Sequence, residues 1–214
     1  MQWPVVKICG VTSVEQAEMV ASAGATAIGL VLDESRRQVS VHVAREIADA
    51  LRGRVDVFCV FRGSGLSRIL TAANDVRPDV VQMHGSETLD EVREVARAGF
   101  LVVKALEATD PSAAQFDVEG VAGILLDGSE PGSGKRVDFS PLHRLAWRAP
   151  LIAAGGLSPA TVSEVIGGFP INGVDVSSGV ESAPGVKDPA LVAEFIRIAR
   201  DAFNRRETRD VQWT

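Results

Sequence analysis

The sequence predicts an α/β fold, a single (β/α)8 barrel of the TIM type, from three observations. Short apolar runs rich in Val and Ile recur along the chain, as expected of parallel strands buried on both faces. The runs start roughly 20 to 30 residues apart, which leaves room for one helix between consecutive strands. The first run ends in Cys9-Gly10-Val11-Thr12 rather than in a G-x-G-x-x-G fingerprint, which disfavours the alternative, an open doubly wound sheet.

The predicted strands match the eight that such a barrel requires. They cover residues 5–9, 27–32, 55–61, 79–83, 100–105, 121–127, 151–154 and 171–177. No linker or composition shift divides the chain, so we predict one barrel domain over residues 1–206. A polar tail is predicted to follow over residues 207–214.

Helices are predicted between the strands from their capping signals. Some begin at a serine and end at a glycine: Ser13 (in a capping box with Gln16) to Gly24, Ser40 to Gly53, and Ser86 to Gly99. Others begin where a capping side chain precedes a proline: Asp110-Pro111, Ser158-Pro159 and Asp188-Pro189. The helix after Ser140 is short and ends before Pro150. The last helix carries the apolar stripe of Leu191, Val192, Phe195, Ile198, Ala199 and Phe203.

Composition excludes several classes of protein. The chain has 214 residues and a net charge of −6, which disfavours a general nucleic-acid binder. No apolar run is long enough to span a membrane, and the N-terminus lacks the pattern of a secretory signal. Cys9 and Cys59 are too few for a disulfide framework, and no histidine lies in a ligand-spaced cluster, so we expect no metal site. A cytoplasmic location is predicted.

In a barrel of this type the chemistry takes place at the carboxyl ends of the strands. Strand 7 ends in Gly155-Gly156, and strand 8 ends in Asp175 followed by Ser177-Ser178-Gly179. Glycines and hydroxyls at two neighbouring strand ends can offer N–H and O–H groups to an anion. We therefore predict a phosphate site at Gly155, Gly156, Ser178 and Gly179, rather than glycines that serve only the turns.

Two reactive side chains also end strands. Cys9 is the last residue of strand 1, so its thiol should face the barrel mouth, where it could act as base or nucleophile if nearby positive charge stabilises the thiolate. Cys59 lies in mid-strand and is interpreted as a core residue. Asp127 ends the apolar strand 6, and a carboxyl near apolar walls suits a general acid.

Other polar residues give weaker signals. Gln82 and His84 end strand 4, where a structural role is the simpler interpretation. Lys104 is expected to pair with Glu107 rather than to form a Schiff base. Arg36 and Arg37 follow strand 2, and one of them could bind a substrate carboxylate.

Taken together, these segments resemble phosphoribosylanthranilate isomerase of tryptophan biosynthesis, over nearly the whole barrel. The resemblance rests on motifs at five strand ends: KICGVT at 7–12, VQMHGSE at 81–87, LLD at 125–127, GGL at 155–157, and GVDVSSGVE at 173–181 followed by PGVKD at 184–188. The loop after strand 2 is shorter than in the family, Pro131 replaces a glycine in the loop after Asp127, and Phe139 and Thr161 replace a Trp and an Asn.

The resemblance implies an Amadori rearrangement of N-(5-phosphoribosyl)anthranilate to 1-(2-carboxyphenylamino)-1-deoxyribulose 5-phosphate, without a cofactor. It implies that Cys9 is the general base and Asp127 the general acid. It further implies that Arg37 meets the anthranilate carboxylate, and that His84 and Asp175 bind substrate. Members of the family occur as monomers or dimers, so either state is expected here.

Two alternatives remain open from the sequence. One is the histidine-pathway sugar isomerase or a bifunctional relative, whose substrate carries two phosphates; Gly63-Ser64-Gly65 after strand 3 could hold the second phosphate. Against it, that family uses carboxylates at both catalytic strand ends, whereas strand 1 ends in Cys9. The other is a decayed barrel that binds a phosphorylated ligand without turnover.

Overall fold

A computed structural model describes residues 1–108, 110, 113–128 and 148–211, and its strands close into the predicted barrel. The strands follow one another in chain order around the barrel, and all pair in parallel. Their bounds are β1 Val5–Cys9, β2 Ala27–Val31, β3 Asp56–Phe61, β4 Val80–Met83, β5 Leu101–Glu107, β6 Val121–Asp127, β7 Leu151–Ala154 and β8 Gly173–Val176. Every predicted strand is confirmed, with bounds shifted by a couple of residues at most.

Side chains alternate between two cores on either side of the strands. One core fills the barrel, and the other packs the outer face of the strands against the helices. On β1 the inner core takes Val5 and Cys9, with Lys7 between them on the same face, whereas Val6 and Ile8 point outward. This period of two determines which residues of a strand can reach the mouth of the barrel.

The helices lie between the strands on the outside. They are α1 Val14–Ser22, α2 Val41–Leu51, α3 Leu66–Val76, α4 Leu89–Arg97, α5 Val162–Gly168 and α6 Pro189–Val211. The predicted caps Ser13, Ser40 and Asp188 are confirmed, because each accepts a hydrogen bond from a backbone N–H of the first turn. The apolar stripe of α6 is buried or packed against the outer core, as predicted.

Three details of the predicted caps are wrong. The Gln16 side chain does not complete a capping box with Ser13; it donates to Thr12 and to the carbonyl of Gly185. α4 is capped by Thr88 rather than Ser86, and Thr88 forms a reciprocal capping box with Glu91. α5 starts later than Ser158-Pro159 predicts, with Thr161 as its cap residue.

The remaining helix predictions fall partly outside the described residues. A 3-10 helix at Ala113–Phe116 follows Asp110, but Pro111 is not described. The helix after Ser140, Pro131 and Phe139 also lie outside the described part. The predicted boundary between barrel and tail at residue 206 stays a prediction, and α6 continues to Val211.

A small hairpin follows β8 and folds back over the first strands. After a 3-10 turn at Ser178–Val180 come β9, Glu181–Ala183, and the antiparallel β10, Val186–Lys187. At its tip, the carbonyl of Gly185 accepts hydrogen bonds from Thr12 and Gln16, just beyond β1. The hairpin therefore links the carboxyl end of β8 to that of β1. Within the described part of the chain, no helix combines the length and apolarity needed to cross a membrane.

Candidate active site

The thiol of Cys9 lies at the inner rim of the barrel, at the end of β1. Cys9 pairs in register with Gly29 on β2, and a side chain at Gly29 could not fit there. Its Cβ would lie 2.7 Å from the sulfur of Cys9 and 3.0 Å from Nζ of Lys7. Gly29 thus leaves the space that the thiol and the lysine occupy, and the predicted inward position of Cys9 agrees with the structure. Cys59 is buried in the outer core, as predicted.

Lys7 and Asp175 form a buried ion pair beneath this rim. They face each other in register on β1 and β8, with 3.0 Å between Nζ and Oδ2. The Lys7 ammonium also lies 5.3 Å from the centre of the Phe58 ring. Asp175 Oδ1 is buried and accepts no hydrogen bond from the described residues. A buried carboxylate oxygen without a donor is well suited to accept a hydrogen bond from a bound ligand.

The pKa values of this group reflect burial and mutual charge. Burial, the strongest influence, raises the pKa of the Cys9 thiol, while the charges of Lys7 and Lys187 lower it in part; the net pKa lies above the ordinary value. Burial likewise raises the pKa of Asp175 against the opposing charge of Lys7. Burial lowers the pKa of Lys7, but Asp175 and Cys9 outweigh it, so that pKa is raised.

Asp127 ends β6 and is held by a chain of hydrogen bonds from β4. The His84 Nε2 lies 3.2 Å from Asp127 Oδ2, and the Gln82 amide nitrogen lies 2.9 Å from His84 Nδ1. Because the amide nitrogen of Gln82 donates, Nδ1 accepts and the hydrogen of the ring sits on Nε2, which donates to Asp127. Gln82 is fully buried. The residues predicted at the end of β4 therefore act on Asp127.

Asp175 connects the two halves of the site. It lies on β8, and the charge of Lys7 is the strongest of the neighbouring influences that act against burial on its pKa. It in turn raises the pKa of Cys9. The thiol on β1 and the carboxyl on β6 each end a strand at the carboxyl end of the barrel, and both interact electrostatically with Asp175.

The loops after β7 and β8 approach each other closely. Gly155 and Gly156 have φ of +88° and +64°, the left-handed region that favours glycine. A Cβ at Gly179 would collide with the carbonyl oxygen of Leu157, so the loop after β8 can approach only without a side chain there. Ser178 and Gly179 open the 3-10 turn, where the first N–H groups have no partner within the turn. The geometry is compatible with the predicted phosphate site.

Arg37 is held by the hairpin after β8. Glu181 accepts two hydrogen bonds from its guanidinium, and Lys187 donates to Glu181 Oε1 at 2.7 Å and to the carbonyl of Ser177 at 3.1 Å. Arg37 and Lys187 outweigh the effect of burial and hold the pKa of Glu181 below its ordinary value. Of the two arginines considered from the sequence, Arg37 is therefore held in place by Glu181, whereas Arg36 is exposed.

Two predictions on polar residues are wrong or lose support. Lys104 pairs with Glu87, at 2.7 Å, and not with Glu107. Its neighbours Val103 and Ala105 belong to the inner core, so Lys104 lies on the outer face of β5, away from the mouth. The anion site suggested for Gly63-Ser64-Gly65 is occupied by the protein itself, because Asp33 accepts hydrogen bonds from Arg62 N and Ser64 N at 2.7 and 3.1 Å.

Sequence reasoning assigned no role to Lys7, Glu181 or Lys187. A signal existed for Lys7, since a lysine in the middle of the apolar run VVKIC has to be buried with its charge. Glu181 and Lys187 gave no comparable signal, because their contacts depend on a hairpin too short to predict. Among the described residues, no group of three or more His, Cys, Asp or Glu side chains could hold a metal ion.

Comparisons with known proteins point to one family. The family model for N-(5'-phosphoribosyl)anthranilate (PRA) isomerase matches residues 6–198. An N-(5'-phosphoribosyl)anthranilate isomerase of Geotalea uraniireducens is 42% identical over 201 residues, covering 91% of this chain and 98% of the relative.

Solved structures agree with that match. A crystal structure of mutually generated monomers of the dimeric phosphoribosylanthranilate isomerase from Thermotoga maritima is 33% identical, with a TM-score of 0.79, over 92% of this chain and 98% of that one. A phosphoribosylanthranilate isomerase in complex with reduced 1-(o-carboxyphenylamino)-1-deoxyribulose 5-phosphate is 32% identical, with a TM-score of 0.78 and the same coverage.

Proposed function

Because this chain belongs to the N-(5'-phosphoribosyl)anthranilate isomerase family, we propose a role for each of its site residues in the reaction of that family. The enzyme isomerises N-(5-phosphoribosyl)anthranilate to 1-(2-carboxyphenylamino)-1-deoxyribulose 5-phosphate, an aldose–ketose isomerisation in tryptophan biosynthesis. The observation that supports the residue roles is that a thiol and a carboxyl each end a strand at the same end of the barrel and both interact electrostatically with Asp175.

Asp127 is the general acid in this proposal. It gives a proton to the ring oxygen of the ribose, the bond from that oxygen to C1 breaks, and the anthranilate nitrogen and C1 become an iminium. His84 donates to Oδ2 of Asp127, which leaves Oδ1 to carry the proton and stabilises the carboxylate that remains. His84, predicted to bind substrate, would do so beside Asp127.

Cys9 is the general base. As thiolate it removes the proton from C2, and the electrons of that C–H bond form the C1–C2 double bond of an enolamine, which tautomerises to the ketone. In the tautomerisation the Cys9 thiol returns its proton to C1 and the Asp127 carboxylate takes the proton of the C2 hydroxyl, so both residues end the cycle as they began it. No net oxidation occurs, so the residues described here are sufficient and we propose no cofactor.

The remaining residues bind the substrate. Gly155, Gly156, Ser178 and Gly179 hold the phosphate, Arg37 binds the anthranilate carboxylate, and the orphan oxygen of Asp175 accepts a hydrogen bond from a ribose hydroxyl. Binding at the two ends of the substrate fixes the reacting carbons between Cys9 and Asp127. We also propose a cytoplasmic location, in keeping with two free cysteines, and a monomer or homodimer.

Turnover of N-(5-phosphoribosyl)anthranilate, followed by fluorescence, tests the assignment. We expect Cys9→Ala and Asp127→Asn each to lower kcat by about 10²–10⁴ while binding of the reduced product analogue persists. Cys59→Ala is the matched control, since it removes a thiol from the outer core and should leave kcat within about threefold. If Cys9→Ala keeps most of kcat, Cys9 is not the base. If every variant and the parent bind without turnover, the chain is a decayed barrel.

A further inference from the structure

Lys7 is a buried charge that the roles above leave unused. Its side chain is fully buried inside the barrel, and its carboxylate partner is Asp175. Burying an ion pair costs desolvation that an apolar pair would avoid, so a buried pair is weak evidence for a role in stability alone. An apolar residue would fit the pattern of β1 equally well. A reason for a cation at this position has to come from its neighbours.

The thiol of Cys9 is the neighbour that gives such a reason. Lys7 and Cys9 point to the same face of β1, two residues apart, and Nζ and Sγ both lie within 3.0 Å of the point where a Gly29 side chain would begin. The neighbouring strand β8 contributes Asp175, whose Oδ2 forms the ion pair with Lys7. The ammonium and the sulfur therefore border the same space beside Gly29, and the ion pair with Asp175 on the neighbouring strand keeps the ammonium there.

We propose that Lys7 is the counter-ion of the Cys9 thiolate and that Asp175 positions it, so that Lys7 is what allows Cys9 to act as a base. The inference rests on the proposed role of Cys9. A thiolate in a site of low polarity needs an adjacent positive charge, because burial alone favours the neutral thiol. When Cys9 takes the proton from C2, its charge disappears and Lys7 stays compensated by Asp175.

Other charges that face Cys9 do not replace Lys7. Lys187 on β10 and Arg37 in the loop after β2 both bear on the thiol, but each is hydrogen-bonded to Glu181 on β9. Across the barrel, Asp127 and His84 influence Asp175. Of the cations around Cys9, Lys7 acts on it most strongly and is the one inside the barrel core.

The test measures the ionisation of Cys9 without using the reaction. In a Cys59→Ala background Cys9 is the only thiol, and its rate of alkylation by iodoacetamide is followed against pH by mass spectrometry. We expect Lys7→Met to raise the midpoint by at least about one pH unit, which lowers the rate near neutral pH by about tenfold. Lys7→Arg should return the midpoint towards the parent value, because it restores the charge.

Asp175→Asn should move the midpoint in the opposite direction, since it removes a negative charge beside both Lys7 and the sulfur. The matched control is Lys104→Met with Glu87→Leu, which replaces a buried lysine and its partner on the outer face of β5 and should leave the midpoint unchanged. If Lys7→Met fails to fold, Lys7→Gln, which also removes the charge, should raise the midpoint in the same way, whereas Lys7→Arg should leave it near the parent value.

The proposal is overturned if Lys7→Met leaves the midpoint in place, if Lys7→Arg shifts it as far as Lys7→Met, or if the control pair shifts it equally. Kinetics separates this result from the role of Cys9. With Cys9 as base, the acid limb of the pH profile of kcat/KM shifts upward together with the alkylation midpoint. If Lys7→Met shifts the alkylation midpoint but Cys9→Ala is fully active, Lys7 is the counter-ion of the Cys9 thiolate, and Cys9 is not the base.

Discussion

Arg37 and Glu181 are joined by two parallel hydrogen bonds, from Nε to Oε1 and from a terminal guanidinium nitrogen to Oε2, each 2.7 Å long. The two residues are far apart in the chain, and the hairpin after β8 brings them together. A guanidinium held along one edge can still offer its remaining N–H groups to another carboxylate. Glu181 is thus in a position to fix the orientation in which Arg37 meets the substrate.

We expect Glu181→Gln to raise KM for phosphoribosylanthranilate by about tenfold, with a smaller effect on kcat. The Gln amide can still accept a hydrogen bond from Arg37, but it no longer carries a charge. Arg37 therefore loses its fixed orientation, and the free-energy cost of ordering it on binding weakens the affinity for substrate. Arg37→Ala should also act mainly on KM. In the double variant the two effects on KM, expressed as free energies, should sum to less than the separate effects, because both substitutions remove the same arrangement. Steady-state kinetics of the three variants gives the coupling.

Glu34→Gln is the control for this cycle, because it neutralises an exposed acid in the same loop after β2 as Arg37. It should leave KM unchanged within about twofold. An unaltered KM in Glu181→Gln, or strict additivity with Arg37→Ala, would show that Glu181 does not orient Arg37. The low pKa of Glu181 means that its charge persists below the ordinary carboxyl range, so the effect should be the same throughout the neutral pH range.

The alternation of inward-facing and outward-facing side chains along each strand made most of the fold predictable from the sequence. Residues of β1 alternate between the two cores, and the same pattern in the other strands determines which side chains face the mouth. That rule is sufficient to place Cys9, Asp127 and Asp175 together, because the carboxyl ends of parallel strands meet at one end of a barrel.

Pairings that depend on loops could not be predicted in the same way. Lys104 was expected to pair with Glu107, but period two places Lys104 on the outer face, where the loop after β4 brings Glu87 to it. Ser86 was expected as the cap of α4, yet the helix starts at Thr88, because Thr88 alone has an acid three residues later to complete the box. The capping box was visible in the sequence as Thr88 and Glu91, whereas the pairing of Lys104 with Glu87 depends on the path of a loop.

The Lys104–Glu87 pair predicts a large effect on stability that does not reach the active site. Lys104 donates to Glu87 and to the carbonyl of Gly85, and the pair is buried on the outer face of β5. We expect Glu87→Gln to lower the free energy of unfolding by about 3–5 kcal/mol, because the lysine loses its compensating charge while it stays buried. Urea unfolding of the variant and the parent measures the difference.

The expected kcat of the folded Glu87→Gln enzyme equals that of the parent, since Lys104 does not face the mouth. Glu94→Gln is the control, because it removes an exposed ion pair with Arg97 on the same helix and should change stability by less than about 0.5 kcal/mol. A loss in Glu87→Gln no larger than in Glu94→Gln would mean that the buried pair is not required for stability.

The position of Asp33 leads us to expect that the enzyme discriminates against a substrate with two phosphates. Its carboxylate is held by the backbone N–H groups of Arg62 and Ser64 and by the Ser64 hydroxyl, after β3. Burial raises the pKa of Asp33, but the effect of these hydrogen bonds is larger and opposite, and the net pKa lies below its ordinary value. The carboxylate is therefore charged at neutral pH. The donors that a second phosphate would need are therefore taken by Asp33, and the nearby cation, Arg68, already pairs with that carboxylate.

We accordingly expect kcat/KM for the bisphosphorylated histidine-pathway substrate to be at least about 10³-fold below that for phosphoribosylanthranilate, since a second phosphate would have to displace Asp33 from its donors and would be left desolvated without them. Both substrates are assayed with the same enzyme preparation, so the activity with phosphoribosylanthranilate shows that the enzyme is folded. Glu34→Gln changes a neighbouring exposed acid and should leave the ratio of the two kcat/KM values unchanged. Asp33→Asn removes the carboxylate that holds these donors and pairs with Arg68, and it should make that ratio smaller. Comparable kcat/KM values in the parent would mean that a second phosphate binds elsewhere at the mouth, and that Asp33 does not control the choice of substrate.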